Sequence, residues 1–319
     1  MILVAGSANL DFVVRAAHIP APGETVLGRD FNTFPGGKGA NQAVACARAG
    51  GAATHMLLAL GADAYAVPLE ASLQEAGVQT HVVRVKEQAT GTAFICVSDD
   101  AENAITVAPG ANQALRGADL PSLDGFTHLL LQLETPIEAV TAYAKAARSS
   151  GVQVLLNAAP AQRLPAELLA LLDVLIVNEG ELAVVADCSG SMAQCLARLE
   201  VPCVVVTLGH RGCCARAEGV YSFESAFQVT PIDTTGAGDT FCGVLVAALS
   251  QRHNVQQALP QALRRASAAA ALACTRLGAQ SSIPTQAEVA AFLATQTAPT
   301  EAQDAELRRF CGFEPLKPI

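Results

Sequence analysis

The sequence predicts an α/β protein: a doubly wound, mostly parallel sheet flanked by helices, with a small β-sheet lid. Three observations carry that prediction. Short apolar runs alternate with longer helical patterns along most of the chain, the arrangement that gives a parallel sheet covered on both faces. Two strand-like segments, 26–34 and 92–107, have little helix nearby and break the alternation. A turn of small residues, Gly236-Ala237-Gly238, opens directly onto an apolar helix in which Val244, Leu245, Ala248 and Leu249 recur at helical spacing.

In chain order, the first strand is expected over 2–5, an Ile-Leu-Val run, and the first helix over 41–49. The run 56–60 is the next strand and 65–76 the next helix. Segments 92–97 and 104–107, separated by the polar stretch 99–103, read as a hairpin. Strands then fall at 129–133, 152–156, 174–177 and 204–208, with helices at 137–149, 179–185 and 258–275. In sheets of this kind, ligands gather beyond the carboxyl ends of the strands. The domain is expected to run over 1–295, with lid segments at about 12–35 and 90–108. After Thr295 the chain turns polar and irregular, and 296–319 is expected to be a loosely attached tail of unknown role, ending Pro315-Leu316-Lys317-Pro318-Ile319.

A chain of 319 residues with 51% hydrophobic content can bury a large core, in one big domain or two. The net charge is −9 and no Lys/Arg-rich run stands out, which disfavours nucleic-acid and anionic-membrane partners. Trp is absent and aromatics make up 4%, so base-stacking platforms are not expected. The ten cysteines are scattered without a Cys-x-x-Cys pair; they read as reduced, buried thiols rather than a zinc site. The N-terminus lacks a basic n-region and does not read as a signal peptide. No apolar run reaches the roughly 18 residues of a spanning helix. A cytoplasmic enzyme is the expectation.

The segment from Asp233 to Gly243 carries the most chemistry. The amides of Gly236, Ala237 and Gly238 lie at a helix start, where unpaired N–H groups and the helix dipole favour an anion. Asp239 sits among them. A carboxylate is a poor guest in an anion hole unless it serves as a base toward the group attacking that anion. The pair therefore points to phosphoryl transfer, with amides for the phosphate and Asp239 for the nucleophile's proton.

Other loops are less decisive alone. Asn9 and Asp11 share one face if the chain stays extended and could clamp vicinal hydroxyls; an Asx-type turn explains them equally well. Pro35-Gly36-Gly37-Lys38-Gly39-Ala40-Asn41 is not a Walker A loop, because Gly39 follows Lys38 where Ser or Thr should bind magnesium. It reads as a Gly-Gly hinge bringing Asn41 near a small polar ligand, or as a plain turn before a helix. Glu134 stands at a strand's carboxyl end. Asn178 and Glu181 suit magnesium, and serve equally as an N-cap with its capping-box partner. Thr207-Leu208-Gly209-His210-Arg211-Gly212 allows close approach of a nucleotide, or forms a hairpin turn. No Gly-x-Ser-x-Gly elbow or paired His spacing is present, so hydrolase and Rossmann dehydrogenase readings lack their signatures.

Gly36-Gly37-Lys38-Gly39-Ala40-Asn41-Gln42-Ala43 and Asp233 through Gly243 resemble the two signatures of the ribokinase-like (PfkB) carbohydrate kinases, with motifs in that family's order over about 1–295. Gly6-Ser7 with Asn9 and Asp11, Leu131-Gln132-Leu133-Glu134-Thr135-Pro136, Asn157-Ala158-Ala159-Pro160-Ala161 and Thr275-Arg276-Leu277-Gly278-Ala279-Gln280 narrow the resemblance to its ribose-phosphorylating branch. The resemblance implies an ATP-dependent sugar kinase with a lid, transferring phosphate to O5 of D-ribose; the alternatives are a sibling kinase for deoxyribose, another small sugar or a nucleoside, and an inactive sugar-binding relative. It implies Asp239 as base and Gly236, Ala237 and Gly238 as the anion hole. Sugar contacts fall on Asn9, Asp11, Gly37, Lys38, Gly39, Asn41, Glu134 and Asp239. Nucleotide contacts fall on Asn178, Thr207, Leu208, Gly209, His210, Arg211, Gly212, Gly238 and Ser267. Asn178 and Glu181 match the Mg2+-associated pattern. Asp233, Thr235, Ala273, Arg276, Gly278 and Ser282 match the positions around a K+ ion. The family often forms a homodimer through its lids. Ser267 stands where some members carry a His beside the adenine, and Gln280-Ser281-Ser282 replaces the commoner Gln-Pro-Ser.

Overall fold

The computed structural model describes residues 1–313 apart from 101, 253, 298 and 299. From the N-terminus, β1 (Ile2–Ala5) is buried along its length and leads into β2 (Asn9–Arg15), which pairs antiparallel with β3 (Asp30–Gly36). α1 (Lys38–Val44) runs on as a wider π-turn over Ala45–Ala49. β4 (Thr54–Gly61), α2 (Ala66–Glu75) and β5 (Gln79–Val85) follow, then the hairpin of β6 (Gly91–Val97) and β7 (Asn103–Ala108). The alternation continues through β8 (His128–Leu131), α3 (Ile137–Ser149), β9 (Gln153–Asn157), α4 (Ala166–Leu171), β10 (Val174–Asn178), α5 (Glu179–Val185), α6 (Met192–Ala197) and β11 (Cys203–Thr207). An antiparallel pair, β12 (Gly212–Ala217) and β13 (Val220–Ser225), precedes α7 (Ala237–Leu249), α8 (Val255–Ala273), α9 (Gln286–Ala294) and α10 (Glu301–Phe310).

Among the described residues, nine strands form one sheet in the order β13-β12-β11-β10-β9-β8-β1-β4-β5. From β5 to β11 every pairing is parallel, with Val4 level with both Met56 and Leu130. The chain winds outward from β1 to β4 and β5, then returns to β8 and winds the other way. β1 and β8 therefore flank the switch point, and the loops leaving their carboxyl ends border the crevice where ligands bind in such sheets. Alternate strand residues feed two cores. Ile2, Val4, Met56 and Leu58 pack with α1, α7 and α8, whereas Leu3, Leu129, Leu131 and Leu156 pack with α3 and α5. Burial on both faces explains the uninterrupted aliphatic runs. The second sheet, β3-β2-β6-β7, is the expected small sheet, and 92–107 is the expected hairpin.

The tail departs from expectation. Residues 301–310 form α10, capped by Thr300 with Gln303, and Leu307 and Cys311 are buried in the core. Phe313 packs on Tyr221, ring centroids 4.4 Å apart, and on Phe223. The apolar positions 307, 310 and 311 fall on one helical stripe within a polar stretch, so overall polarity hid a docking face. Residues 314–319, including the Pro-rich end, lie outside the described residues. Smaller differences concern boundaries: the strand expected over 129–133 stops at Leu131, and the helix expected from 258 starts at Val255, capped by Asn254. No helix among the described residues is long and apolar enough to cross a membrane.

Candidate active site

α7 begins at the switch-point crevice. Its N-cap, Gly236, has φ of 73°, a left-handed conformation natural for glycine. A Cβ there would also sit 3.1 Å from the Ala279 backbone. The Gly236 and Gly238 amides have no acceptor among the described residues, as expected for an anion hole. Ala237 differs: its N–H closes a turn onto the Thr234 carbonyl at 3.2 Å, so it is engaged by the protein itself.

Asp239 lies in the first turn of α7 and faces α1. Its Oδ2 accepts from Asn41 Nδ2 and its Oδ1 from Gln42 Nε2, both at 2.9 Å. The two helices approach this closely because residue 243 is glycine: a Cβ there would lie 2.5 Å from the Gln42 carbonyl oxygen. Asn41 Oδ1 is buried and has no hydrogen-bond partner, leaving an acceptor for a ligand.

The loop before α1 is pressed against the strand that follows β1. Gly37 has φ of 88°, and a Cβ on it would stand 2.7 Å from the Asn9 nitrogen; one on Gly39 would stand 2.6 Å from the Ser7 nitrogen. Glu134 Oε2 locks this contact, accepting from Ser7 Oγ at 2.5 Å and from the Lys38 amide at 3.1 Å. Asn9 and Asp11 do share a face of β2, in the small sheet. Asn9 Oδ1 accepts from Asn112 Nδ2 at 2.8 Å. Asn112, whose own Oδ1 also takes the Ala8 amide, was not among the expected residues; nothing local in the sequence ties it to a strand about a hundred residues away.

Four carboxylates and one amine crowd this crevice. Burial, and then the charges of Glu134 and Asp239, push the Asp11 carboxyl up to about 7. Asp239 holds the Lys38 ammonium above its usual range against the opposing pull of burial, with help from Glu134 and Glu181. Burial also raises Glu181. Lys38 is thus a cation in an otherwise acidic pocket, held there most strongly by the charge of Asp239 in the first turn of α7.

On the far side of α7 lies a cavity of about 460 Å³. Thr207, Gly209, His210, Gly212 and Ser267 line it, as expected, and so do Ala237 and Gly238. The α7 N-terminus is therefore the partition between the acidic crevice and the cavity. Phe227, 5.4 Å centroid to centroid from Phe292, forms part of the wall and escaped sequence reasoning. Three expected nucleotide residues do not line the cavity. Leu208 is buried in the core, Arg211 stacks its guanidinium 4.3 Å over the Phe310 ring of α10, and Asn178 is tied down as a cap. Asn178 Oδ1 accepts the Glu181 amide and Glu181 Oε2 accepts the Asn178 amide, each at 2.8 Å. The capping alternative is thus formed, with Glu181 Oε1 left over.

The loops 233–235 and 273–282 meet, as the K+ expectation requires. Each oxygen of Asp233 accepts a loop amide at 2.9 Å, from Thr235 and from Gly278. Despite burial, these donors and the Thr235 hydroxyl hold Asp233 below the usual carboxylate range. The Ala273 carbonyl is taken by the Arg276 amide, the Arg276 side chain pairs with Glu288, and buried Ser282 donates to the Ala279 carbonyl at 2.8 Å. No group of three or more His, Cys, Asp or Glu residues suited to a metal occurs among the described residues.

Comparison with known proteins identifies the family. The pfkB family carbohydrate kinase pattern matches residues 1–286. The ribokinase of Haemophilus influenzae is 38% identical over 307 residues, covering 92% of this chain and 98% of its own. The crystal structure of Thermotoga maritima ribokinase superposes with a TM-score of 0.82 at 36% identity, covering 92% of this chain and 99% of its own. Arabidopsis thaliana ribokinase complexed with ribose and ATP gives 0.83 at 31% identity, with the same coverage. The chain belongs to the pfkB family of carbohydrate kinases.

Proposed function

We propose that this carbohydrate kinase transfers the γ-phosphate of ATP to the O5 hydroxyl of D-ribose, giving ribose 5-phosphate and ADP. One observation carries the reading. A carboxylate held by two amides, Asp239, and the free N–H groups of Gly236 and Gly238 meet where an acidic crevice and a separate cavity share one helix N-terminus. The relatives named for ribose and ATP supply the identities of the two ligands.

Ribose lies in the crevice with its hydroxyls on Asn9, Asp11, Asn41 and Glu134, and with the backbone of Gly37, Lys38 and Gly39 beneath it. Asp239 has lone pairs beyond the two taken by Asn41 and Gln42; one receives the O5 proton as O5 attacks in line. The γ-phosphate rests on the Gly236 and Gly238 amides, and the Lys38 ammonium offsets its charge. The adenosine half fills the cavity, where Ser267 leaves room that a bulkier side chain would take. Magnesium fits at Glu181, whose free Oε1 would act with the ATP phosphates. Potassium fits at the oxygens left open around Thr235, Arg276, Gly278 and Ser282, with Asp233 orienting the loop through its two amide bonds. Both cations supply charge neutralisation around the phosphates.

The small sheet is the lid, hinged at Gly36 and Gly37, and excludes water from the crevice on closing. On the face of the sheet opposite Asp11, Phe31 and Phe94 are more than half exposed and fit a homodimer formed lid to lid. All ten cysteines are free, in keeping with a reducing, cytoplasmic compartment. The test is ADP release with ribose, deoxyribose, fructose and ribonucleosides. Ribose is expected to give the highest kcat/KM; a higher value for any other acceptor, or no ADP release at all, overturns the assignment.

A further inference from the structure

Behind Asp239 runs a buried chain of side-chain amides. Gln132 Nε2 donates to Gln42 Oε1 at 2.7 Å; Gln42 Nε2 donates both to Asp239 Oδ1 at 2.9 Å and to Asn157 Oδ1 at 3.0 Å. Asn157 Nδ2 in turn donates to the main-chain carbonyl of Ile176 at 3.2 Å. Gln42 and Gln132 are fully buried. A glutamine amide has nearly the same shape either way round, but only one end can face a carboxylate favourably. Here the choice is forced. The Ile176 carbonyl only accepts, so Asn157 must turn its Nδ2 toward it and its Oδ1 toward Gln42. Gln42 must then present Nε2 to Asn157 and to Asp239, which leaves its Oε1 for Gln132. One backbone carbonyl of β10 thus sets the polarity of a chain that ends on the carboxylate.

We propose that Gln42 is a positioning residue for the phosphoryl-transfer base: it fixes Asp239 Oδ1, while Asn41 fixes Oδ2 from the sugar side. This inference rests on Asp239 being the base. Gln132 and Asn157 act through Gln42, by holding its donor end toward Asp239. Because Gln42 touches neither ligand cavity, its contribution falls on the chemical step rather than on binding.

The experiment compares steady-state kinetics of Gln42→Met, Gln132→Met and the double variant, with ribose and MgATP varied separately. Gln42→Met removes the donor at similar length. A hydrogen bond to a charged group sets the scale, so kcat is expected to fall about 10–100-fold while both KM values stay within about threefold. Gln132→Met alone is expected to lower kcat by a smaller factor, and to cost nothing further once Gln42 is Met. A wild-type kcat in Gln42→Met overturns the proposal, as does an equal loss from Gln132→Met in both backgrounds. If Gln42→Met does not fold, Gln132→Met decides: a loss confined to kcat supports the chain, and an unchanged kcat overturns it. Asp239→Asn separates the two levels. Activity in that variant removes the base reading itself, whereas inactivity there with full activity in Gln42→Met removes only the positioning role.

Discussion

Asp11 offers the sharpest quantitative prediction. Its carboxyl is pushed from 3.8 to about 7 by burial and by Glu134 and Asp239, and neither oxygen accepts a hydrogen bond from the protein among the described residues. In the proposed complex those oxygens accept sugar hydroxyls, which favours the ionised form. If only the carboxylate binds ribose well, its fraction falls about tenfold between pH 8 and pH 6, and the ribose Kd rises by the same factor. Titration calorimetry in two buffers of different ionisation enthalpy reads both quantities. At pH 6 close to one proton should be released per ribose bound. Asp11→Asn should weaken ribose binding about 10–100-fold and flatten its pH dependence. The same group carries a stability cost. Between pH about 4 and 7 the folded protein keeps a proton that the unfolded chain has released, so stability falls as pH rises through that window and levels off above it. The gap corresponds to about 4 kcal/mol, so Asp11→Asn should melt several degrees higher than wild type at pH 8 and no higher at pH 4. A ribose Kd independent of pH, or a pH dependence that survives in Asp11→Asn, refutes the reasoning.

Two further outcomes are expected. Leu307→Ala, which empties a buried position under α10, should cost about 2–4 kcal/mol in urea unfolding; an unchanged midpoint would mean that α10 does not dock as described. Replacing potassium by sodium should lower kcat, because the Asp233–Gly278 loop abuts the anion hole; equal rates in the two salts would remove the cation from that loop.

The parts of the site that were legible in the sequence are those encoded by close neighbours. The Gly236–Asp239 turn and its helix are contiguous, Asn9 and Asp11 share a face through the period of one strand, and Gly37 and Gly39 announce a close backbone approach. The alternation of aliphatic runs and helical stripes was enough for the parallel sheet, because burial on both faces leaves a plain apolar signature. Contacts between distant segments were not legible. Asn112 reaches Asn9 from 103 residues away, and Gln42 reaches Asn157 from 115. No local pattern marks an amide as part of a network, still less which end of it points where. The Asn178–Glu181 pair shows another limit: one spacing served a capping box and a metal site alike, and the fold makes the cap. α10 was missed because its apolar stripe is short and lies in a polar stretch beyond residue 286, where the family match ends.

The central claim is that Asp239 takes the proton from the sugar at a phosphate cradle built on the start of α7. Its most direct measurement is the single-turnover rate of Asp239→Asn, with ribose and MgATP affinities determined on the same preparation. The predicted result is a transfer rate lower by about 10²–10⁴-fold with both affinities within about fivefold of wild type. Transfer at a rate near wild type, with both ligands bound, would contradict it.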